Sequence, residues 1–305
     1  MKIILLILIS LTLNAQIVNY DIKPRWLTKK KYKNIKILDS MELRFEDKND
    51  ISFSEISALA YKKKNLYALS NKGYLFHFDM KIRKNKVRRL KLLDARELNK
   101  KNGTSRLKKK HRDAEGMALI GNELFISFER KPRVDVFSLN GVKLRNHKIN
   151  DKLEDITYYQ TKNKALEAIA YNKKYGVVVA PELPLIDAID GIHEIYTKNR
   201  TYKFKAYAQL SAMEFRTKNK LITLEKSYSL LTQKRLIIIR ELNLKKVKKG
   251  FVQSRVIAIL NSDKGWRLDN FEGLAKYGKN KFMMISDNNR SYFQKTLLVL
   301  FEVLD

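Results

Sequence analysis

The sequence of 305 residues contains no cysteine and only four histidines and four prolines. Without cysteine the fold cannot depend on disulfides, and neither a thiolate nucleophile nor a thiolate metal site can form. The serine-hydrolase elbow G-x-S-x-G, the zinc motif H-E-x-x-H and the P-loop are also missing. These absences exclude thiol chemistry and give no support to a serine-hydrolase mechanism.

Long apolar runs are missing too, apart from the run between Ile3 and Leu13. This run is too short to span a bilayer, which takes about 20 residues, but it suits the core of a secretory signal. We predict a signal peptide over residues 1–15, with an uncleaved anchor as the alternative because Leu13 is large for its position. Residues 16–305 contain no Pro-rich or Gly/Ser-rich linker, so we expect one soluble, monomeric domain without a transmembrane segment, periplasmic or secreted.

The charge is strongly one-sided, with 63 Lys and Arg against 32 Asp and Glu and a formal net charge of +31. Such a surplus favours anionic partners, and we expect an anionic small-molecule substrate. The lysines occur in short runs over the whole length, so nucleic acid is not expected as a partner. The most basic section, Arg83 to Arg112, contains turn residues and is predicted to form a long loop. Short helices are predicted near Leu93 to Leu98 and Asp151 to Tyr158.

A unit of two short strands recurs along the chain. Each copy starts with an acidic or hydroxyl residue, continues through small and apolar residues, and reaches a second apolar strand after a turn. The copies begin at Ser57, Glu115, Glu167, Ser211 and Glu272. Their spacing varies, because Glu167 and Ser211 are 44 residues apart whereas Ser211 and Glu272 are 61 apart. This spacing is typical of propeller blades with variable outer loops, and a solenoid would need a constant period.

The predicted fold is therefore an all-β protein, a single β-propeller with five or six blades of antiparallel strands. The segment from Glu272 to the C-terminus and the segment from Gln16 to Ser57 together have the length of about one more period. We expect Lys36 to Phe45 to pair with Thr296 to Leu304 and to close the ring. Closure would remove the strand edges that otherwise recruit other chains.

The motifs of these copies stand in a fixed order. They are Asp113-Ala-Glu-Gly-Met-Ala, Ser127-Phe-Glu-Arg, Leu166-Glu-Ala-Ile-Ala, Leu224-Glu-Lys-Ser-Tyr-Ser, and Asn270-Phe-Glu-Gly-Leu-Ala with Ser286-Asp-Asn-Asn. In this order they resemble the bacterial family called esterase-like activity of phytase, over roughly Ser54 to Asp305. The resemblance implies a propeller with acidic residues repeated around its centre, and hydrolysis of phosphate or other esters.

Acidic residues are the candidates for chemistry, because the strands that begin blades usually line the central channel. Carboxylates that converge there repel one another unless a cation offsets their charge, and oxygen-only ligands favour Ca²⁺. The predicted ligands are Glu115, Glu167, Glu272 and Asp287. The predicted catalytic residues are Asp113, Glu129 and His111, the last as a general base. Small residues after the glutamates are expected to leave room for a ligand. The alternative is that the acids only hold the blades together.

Basic residues follow the acids closely and form a predicted phosphate-binding set. They are Lys72, Arg130, Arg133, Lys226 and Arg290. The planar fork of arginine matches phosphate oxygens, although the same residues suit ion pairs with neighbouring acids. Two functions therefore remain open. One is an exported, Ca²⁺-dependent hydrolase of phosphate or other esters, and the other is a non-catalytic propeller that binds an anionic ligand or a protein partner.

Overall fold

The structure, a computed structural model, describes residues 16–305, which form an all-β chain. The signal peptide predicted for residues 1–15 lies outside the described residues. Three strands precede the first repeat: β1 (Ile17–Asn19), β2 (Lys31–Tyr32) and β3 (Ile35–Leu43). Helix in residues 16–305 is limited to α1 (Asp151–Glu154) and to 3-10 turns at Lys109–His111, Ile156–Tyr158 and Ser262–Lys264. None of these helices has the length and hydropathy to cross a bilayer.

The repeats form four-stranded antiparallel units. Unit 1 contains β4 (Ile56–Lys62), β5 (Asn65–Ser70), β6 (Tyr74–Arg83) and β7 (Lys86–Glu97). Unit 2 contains β8 (Ala114–Ile120), β9 (Glu123–Phe128), β10 (Arg133–Ser138) and β11 (Lys143–His147). Unit 3 contains β12 (Leu166–Asn172), β13 (Gly176–Pro181), β14 (Ile192–Tyr196) and β15 (Thr201–Lys205). Unit 4 contains β16 (Gln209–Phe215), β17 (Lys220–Ser229), β18 (Lys234–Lys248) and β19 (Phe251–Asn261).

The fifth unit combines the two ends of the described chain. Its strands are β20 (Asn270–Gly278), β21 (Lys281–Asp287) and β22 (Leu297–Val303), followed in the sheet by β3. β22 is antiparallel to β3, with Val299 opposite Ser40. The predicted pairing between Lys36 to Phe45 and Thr296 to Leu304 is therefore confirmed.

The first strands of the units contact one another in a cycle: β4 with β8, β8 with β12, β12 with β16, β16 with β20, and β20 with β4. The hydrophobic core follows the same cycle, because each of its five clusters combines residues of two successive units. Units 3 and 4 also share a parallel bridge between Lys203 and Phe251, which joins them into one eight-stranded sheet. Each unit thus buries its apolar faces only against its neighbours.

Local sequence explains the hairpins that begin the units. The second strands are buried on both faces, and their sequences are accordingly near-continuous apolar runs, such as Phe282 to Ile285. The turns between first and second strands contain residues with positive φ, including Gly121 at +62° and Asn280 at +55°. Glycine and asparagine adopt this conformation most easily, so their presence favours a tight turn at both places.

The basic section between units 1 and 2 differs from its prediction. Residues 86–97 are strand β7, so the predicted loop over Arg83 to Arg112 is wrong for this part, and so is the predicted helix at Leu93 to Leu98. β7 is an outer strand paired only with β6. Its charged side chains point to solvent, so its sequence lacks the clear alternation of apolar and polar residues by which strands are recognised. The helix predicted over Asp151 to Tyr158 is present as α1 and the following 3-10 turn.

Candidate functional site

A β-bulge at the same place in every unit positions the candidate acids. The register between the first and second strands shifts by one residue in all five units. The residues left in the bulges are Ser57, Glu115, Glu167, Ser211 and Glu272. Bulges re-aim side chains and are common beside active sites. The residues that begin the sequence repeats are therefore the bulged residues, and three of the five are glutamates.

The centre of the ring is nearly filled. Residues from all five first strands, including Glu115 and Glu272, line a central cavity of only about 10 Å³. That volume holds at most about one water molecule. The central channel therefore cannot admit a substrate, and the candidate site lies at its mouth.

Two sets of three carboxylates meet at this mouth. One oxygen from each of Asp113, Glu115 and Glu129 lies within 4.8 Å of the others, and the same holds for Glu129, Glu167 and Glu182. Glu129 and Glu182 directly follow the second strands of units 2 and 3, beside the bulged glutamates. We call these five residues the acid cluster. Glu129 belongs to both sets and also accepts a hydrogen bond from the backbone N–H of Ala165 at 3.3 Å.

Burial and neighbouring charges raise the pKa of three members of the acid cluster, Glu115, Glu129 and Glu167. Burial, followed by the charges of Glu167 and Glu272, raises the pKa of Glu115 well above its ordinary value. Burial and the charge of Glu182 raise the pKa of Glu167 in the same way. Burial and Asp113 raise the pKa of Glu129 to about 7. A bound cation would offset this repulsion, and a donor set made only of carboxylate oxygens fits a hard divalent cation.

A lysine already neutralises part of the mouth. The Lys226 ammonium lies 2.6 Å from Glu272 Oε1, 3.9 Å from Glu167 Oε1 and 4.0 Å from Glu182 Oε1. Burial alone would lower the pKa of this ammonium, but the charges of the three glutamates raise it above its ordinary value. Lys226, predicted to contact substrate, is thus placed as an internal counter-ion.

The four predicted metal ligands divide into two pairs. Glu115 and Glu167 each belong to one of the three-carboxylate sets. Glu272 is held by Lys226 and by Asn270 Nδ2 at 2.7 Å. Asp287 accepts a hydrogen bond from the N–H of Asn289 at 2.7 Å, and burial followed by the charge of Glu272 raises its pKa to about 7. The structure therefore groups Asp113, Glu129 and Glu182 with the first pair and leaves the second pair outside.

A cationic cavity of about 250 Å³ opens beside the acid cluster. It is lined by Asn71, Lys72, Tyr74, Lys109, Arg112, Asp113, Arg130 and Arg290. Arg130 Nε lies 2.6 Å from Asp113 Oδ2, whereas Lys72 and Arg290 pair with Glu55 at 2.8 and 2.9 Å. Five cations thus surround this space, and Glu55 and Asp113 are the two acids paired with them. Three of the five predicted phosphate-binding residues, Lys72, Arg130 and Arg290, meet here.

Arg133 and His111 lie outside this cavity lining. Arg133 donates to Asp135 Oδ2 at 2.8 Å and to the carbonyls of Lys131 and His111, and its guanidinium stacks 3.9 Å from the Phe128 ring. These contacts use three of its five N–H donors within the protein and hold its side chain away from the cationic cavity. Burial and the nearby charge of Arg133 lower the pKa of the His111 imidazole, which belongs to neither three-carboxylate set.

Glu55 was missed by the sequence reasoning, although a signal for it exists. It stands two residues before the bulged Ser57, as Asp113 stands two residues before the bulged Glu115. Its backbone adopts φ of +55°, and its N–H donates to Asn288 Oδ1 of unit 5 at 3.1 Å. Glu55 therefore ties units 1 and 5 together next to Lys72 and Arg290 of the cationic cavity.

The glycine after Glu115 serves strand packing and not ligand approach. A Cβ at Gly116 would lie 2.4 Å from the carbonyl oxygen of Glu167 and 2.6 Å from Ser127 Oγ. That oxygen also accepts a hydrogen bond from Ser127 Oγ at 2.7 Å. The small residue thus lets the first strands of units 2 and 3 approach closely, which corrects the expectation that it leaves room for a ligand.

Comparisons with solved structures give distant similarities. The PQQ-bound aldose sugar dehydrogenase of Streptomyces coelicolor is 11% identical, with a TM-score of 0.48, covering 92% of this chain and 99% of that one. Glutaminyl cyclase of Myxococcus xanthus is 10% identical, with a TM-score of 0.44, covering 83% and 92%. Both values are too low to bear on activity. No curated protein matches the chain.

A family model matches most of the chain. It is described as "Phytase-like: Esterase-like activity of phytase" and covers residues 51–290. This range begins just before unit 1 and ends inside the fifth unit, so it includes the acid cluster and the cationic cavity. The chain therefore belongs to the phytase-like family.

Proposed function

We propose that the protein is a metal-dependent hydrolase of phosphate or other anionic esters. The observation that supports this most directly is that Asp113 belongs both to a three-carboxylate set and to the lining of the cationic cavity. A cation held by Asp113, Glu115 and Glu129 would stand beside a space lined by five basic side chains. This combination suits an ester that carries negative charge.

Ca²⁺ is the proposed cation. The donors are carboxylates from two loop ends and a bulge, and Ca²⁺ accepts such irregular oxygen sets more readily than Mg²⁺ does. When bound, the ion supplies Lewis acidity and lowers the pKa of a bound water. Glu129, shared by both sets and buried, is assigned to holding the ion.

The chain's own residues provide binding and proton transfer. Lys72, Arg130 and Arg290 bind the anionic group of the ester, because each presents its cationic head at the cavity wall. Asp113, at the same wall, orients Arg130 through their 2.6 Å ion pair. It accepts the proton of the attacking water and passes it to the leaving oxygen as the ester bond breaks. We assign this role to Asp113 in preference to His111, whose side chain is not part of the cavity lining.

We infer that the fold is a five-bladed propeller, because the five first strands contact one another in a cycle and each unit has four strands. Export to the periplasm or the medium is proposed from the apolar run at the start of the sequence. Mass spectrometry of envelope-fraction protein should then find an N-terminus at or near Gln16. Intact Met1 on cytoplasmic protein would contradict export.

The second candidate function is a non-catalytic propeller that binds an anionic ligand. It is favoured by Lys226, which neutralises part of the mouth without any metal, and by a cationic cavity that can bind an anion unaided. Purified protein should be assayed for metal content, then screened with a phosphomonoester and a carboxylester, with and without chelator. Hydrolysis that chelator abolishes and Ca²⁺ restores supports the hydrolase. Anion binding without turnover, unchanged by chelator, supports the binding protein.

A further inference from the structure

The outer hairpin of unit 1 is strongly basic. Residues 81–91, at the joined ends of β6 and β7, form what we call the basic ribbon. Its seven cations are Lys81, Arg83, Lys84, Lys86, Arg88, Arg89 and Lys91. Among the ion pairs of residues 16–305, only Arg89 of this set has a partner, Asp79, at 2.5 Å. The ribbon therefore carries a large uncompensated positive charge.

The strand register sets like charges against each other. Lys81 stands directly opposite Arg89, and Arg83 stands directly opposite Lys86. Like charges in opposed positions destabilise an antiparallel pair. An anion that bridges the two strands would convert both repulsive pairs into a binding site. The register is thus a second indication, independent of composition, that the ribbon binds an anion.

The ribbon cannot relieve this repulsion by swinging away. Met80 and Leu90 are buried, and the N–H of Val87 donates to Asp39 Oδ2 of β3 at 2.9 Å. Lys281 Nζ of unit 5 donates to Asn85 Oδ1 in the turn at 2.8 Å. These contacts hold the ribbon against the fifth unit, so its backbone is fixed in position before any ligand arrives.

The space above the ribbon is an open groove of about 620 Å³. It is lined by Lys81, Arg83, Lys84, Arg88 and Arg89 alone. Small ligands are usually enclosed by pockets that combine apolar and aromatic side chains with a few polar groups, whereas this groove is open and all of its lining residues are cationic. An extended surface that presents many phosphates fits such a one-sided, wholly cationic groove better than a small molecule does.

The ribbon is also remote from the candidate active site. β6 starts at Tyr74 in the lining of the cationic cavity and runs ten residues to Arg83. At about 3.3 Å per residue, the tip of the ribbon at Arg83 lies about 30 Å along the strand from Tyr74, whereas its near end, Lys91 opposite Asp79, lies about 17 Å away. A surface bound at the ribbon would leave the cavity open to solvent.

We propose that the basic ribbon docks the protein on a bilayer surface rich in anionic phospholipid. The contact is electrostatic, between the ribbon's cations and lipid phosphates, and inserts no apolar side chain. It should therefore weaken steeply as salt screens the charges. The proposal does not depend on the hydrolase activity.

Vesicle flotation tests the proposal, using the full chain with vesicles of phosphatidylglycerol in phosphatidylcholine and of phosphatidylcholine alone. The wild type should float only with the anionic vesicles at low salt. Lys81→Gln/Arg83→Gln/Arg88→Gln should bind on the order of 100-fold more weakly. The matched control, Lys245→Gln/Lys246→Gln/Lys248→Gln in the hairpin of β18 and β19, loses the same charge and should keep near wild-type binding.

Stability supplies a second measurement. Lys81→Glu places opposite charges across the ribbon, so it should raise the thermal midpoint while weakening vesicle binding. Equal loss of binding in the ribbon and control variants, or no preference of the wild type for anionic vesicles, would overturn the proposal. So would tight binding of soluble tripolyphosphate without vesicle binding, because the ribbon would then be a site for a free anion. A lower midpoint of Lys81→Glu would refute the repulsion argument.

Discussion

The Lys226 ammonium lies 2.6 Å from the Glu272 carboxylate, although the two residues belong to different units and stand 46 positions apart. The same ammonium approaches Glu167 and Glu182 at 3.9 and 4.0 Å. One buried cation thus links units 3, 4 and 5 at the mouth of the ring. Glu272 and Glu167 depend on it for charge compensation, whereas Glu182 also pairs with Lys164 at 3.1 Å. Lys226 is therefore a structural tie, and it reduces the positive charge that a metal ion would have to supply at the mouth.

Replacing Lys226 should be strongly destabilising. Lys226→Gln leaves the buried carboxylates of Glu272 and Glu167 without their counter-ion, whereas Glu182 keeps its ion pair with Lys164 at 3.1 Å. Breaking a buried pair typically costs about 3 to 5 kcal/mol. Urea unfolding measures the loss. The control is Lys234→Gln, whose ion pair with Asp263 is about half exposed and should contribute at most about 1 kcal/mol. Added Ca²⁺ should restore part of the stability of Lys226→Gln. Equal losses in the free energy of unfolding would show that the buried ion pair stabilises the protein no more than the exposed one does.

Metal removal should lower the thermal midpoint. Binding to the folded state alone stabilises by about 2.7 kcal/mol when free metal exceeds its dissociation constant 100-fold. Glu129→Gln alters the carboxylate shared by both sets and should weaken metal binding and abolish the effect of chelator. Glu46→Gln, at an exposed acid, serves as control and should respond like the wild type. A wild type that contains no metal and has a midpoint indifferent to Ca²⁺ and chelator would make the acid cluster purely structural.

Arg130 should contribute to anion affinity. Hydrogen bonds to charged groups are worth about 1.5 to 3 kcal/mol, so Arg130→Gln should weaken phosphate binding, or raise KM for a phosphomonoester, about 10- to 100-fold. Arg145 offers a matched control, because it also pairs with an acid, Glu123, and is similarly exposed. Calorimetry with inorganic phosphate gives the affinities. Unchanged affinity of Arg130→Gln would remove the cationic cavity from the proposed site.

Asp287 should make stability fall between acidic and neutral pH. Its pKa rises from 3.8 to about 7 in the folded protein, chiefly through burial and then through Glu272. Between about pH 4 and 7 the native state therefore binds a proton that the unfolded chain has released, and the free energy of unfolding decreases as pH rises. Asp287→Asn removes this titration and should gain about 1 to 4 kcal/mol at pH 8 relative to wild type. Unfolding at several pH values should show a flatter curve than for exposed Asp47→Asn.

Removal of the closing strand should prevent cooperative folding. Deleting residues 296–305 removes β22, which pairs with β21 on one side and with β3 on the other. Two exposed strand edges and an opened core should cause aggregation. Asp305→Asn is the control, because it changes only the exposed carboxylate paired with Arg216. A soluble truncation with the wild-type midpoint would contradict closure by the chain ends.

Several features could be predicted from the sequence because they depend on local pattern. Apolar second strands, turn residues with positive φ and the recurring acid or hydroxyl residue all lie within short segments. They predicted the repeats, the pairing of β3 with β22, and the residues later found in the bulges. Strand β7 was not predicted, because the charged side chains of this outer strand are largely exposed and its sequence therefore resembles that of a basic loop. The like charges opposed across the basic ribbon were hidden for the same reason.

The arrangement at the mouth was decided by the tertiary structure. The sequence placed Lys226 beside Glu225, and it gave no sign that the ammonium would point away to Glu272 while Arg240 neutralises Glu225. Likewise, Glu129 of unit 2 belongs to two carboxylate sets only because unit 3 packs against unit 2 and brings Glu167 and Glu182 close to it. Electrostatic partners in a propeller come from different units. Their distances depend on how the units pack around the axis, and spacing along the chain does not encode that packing.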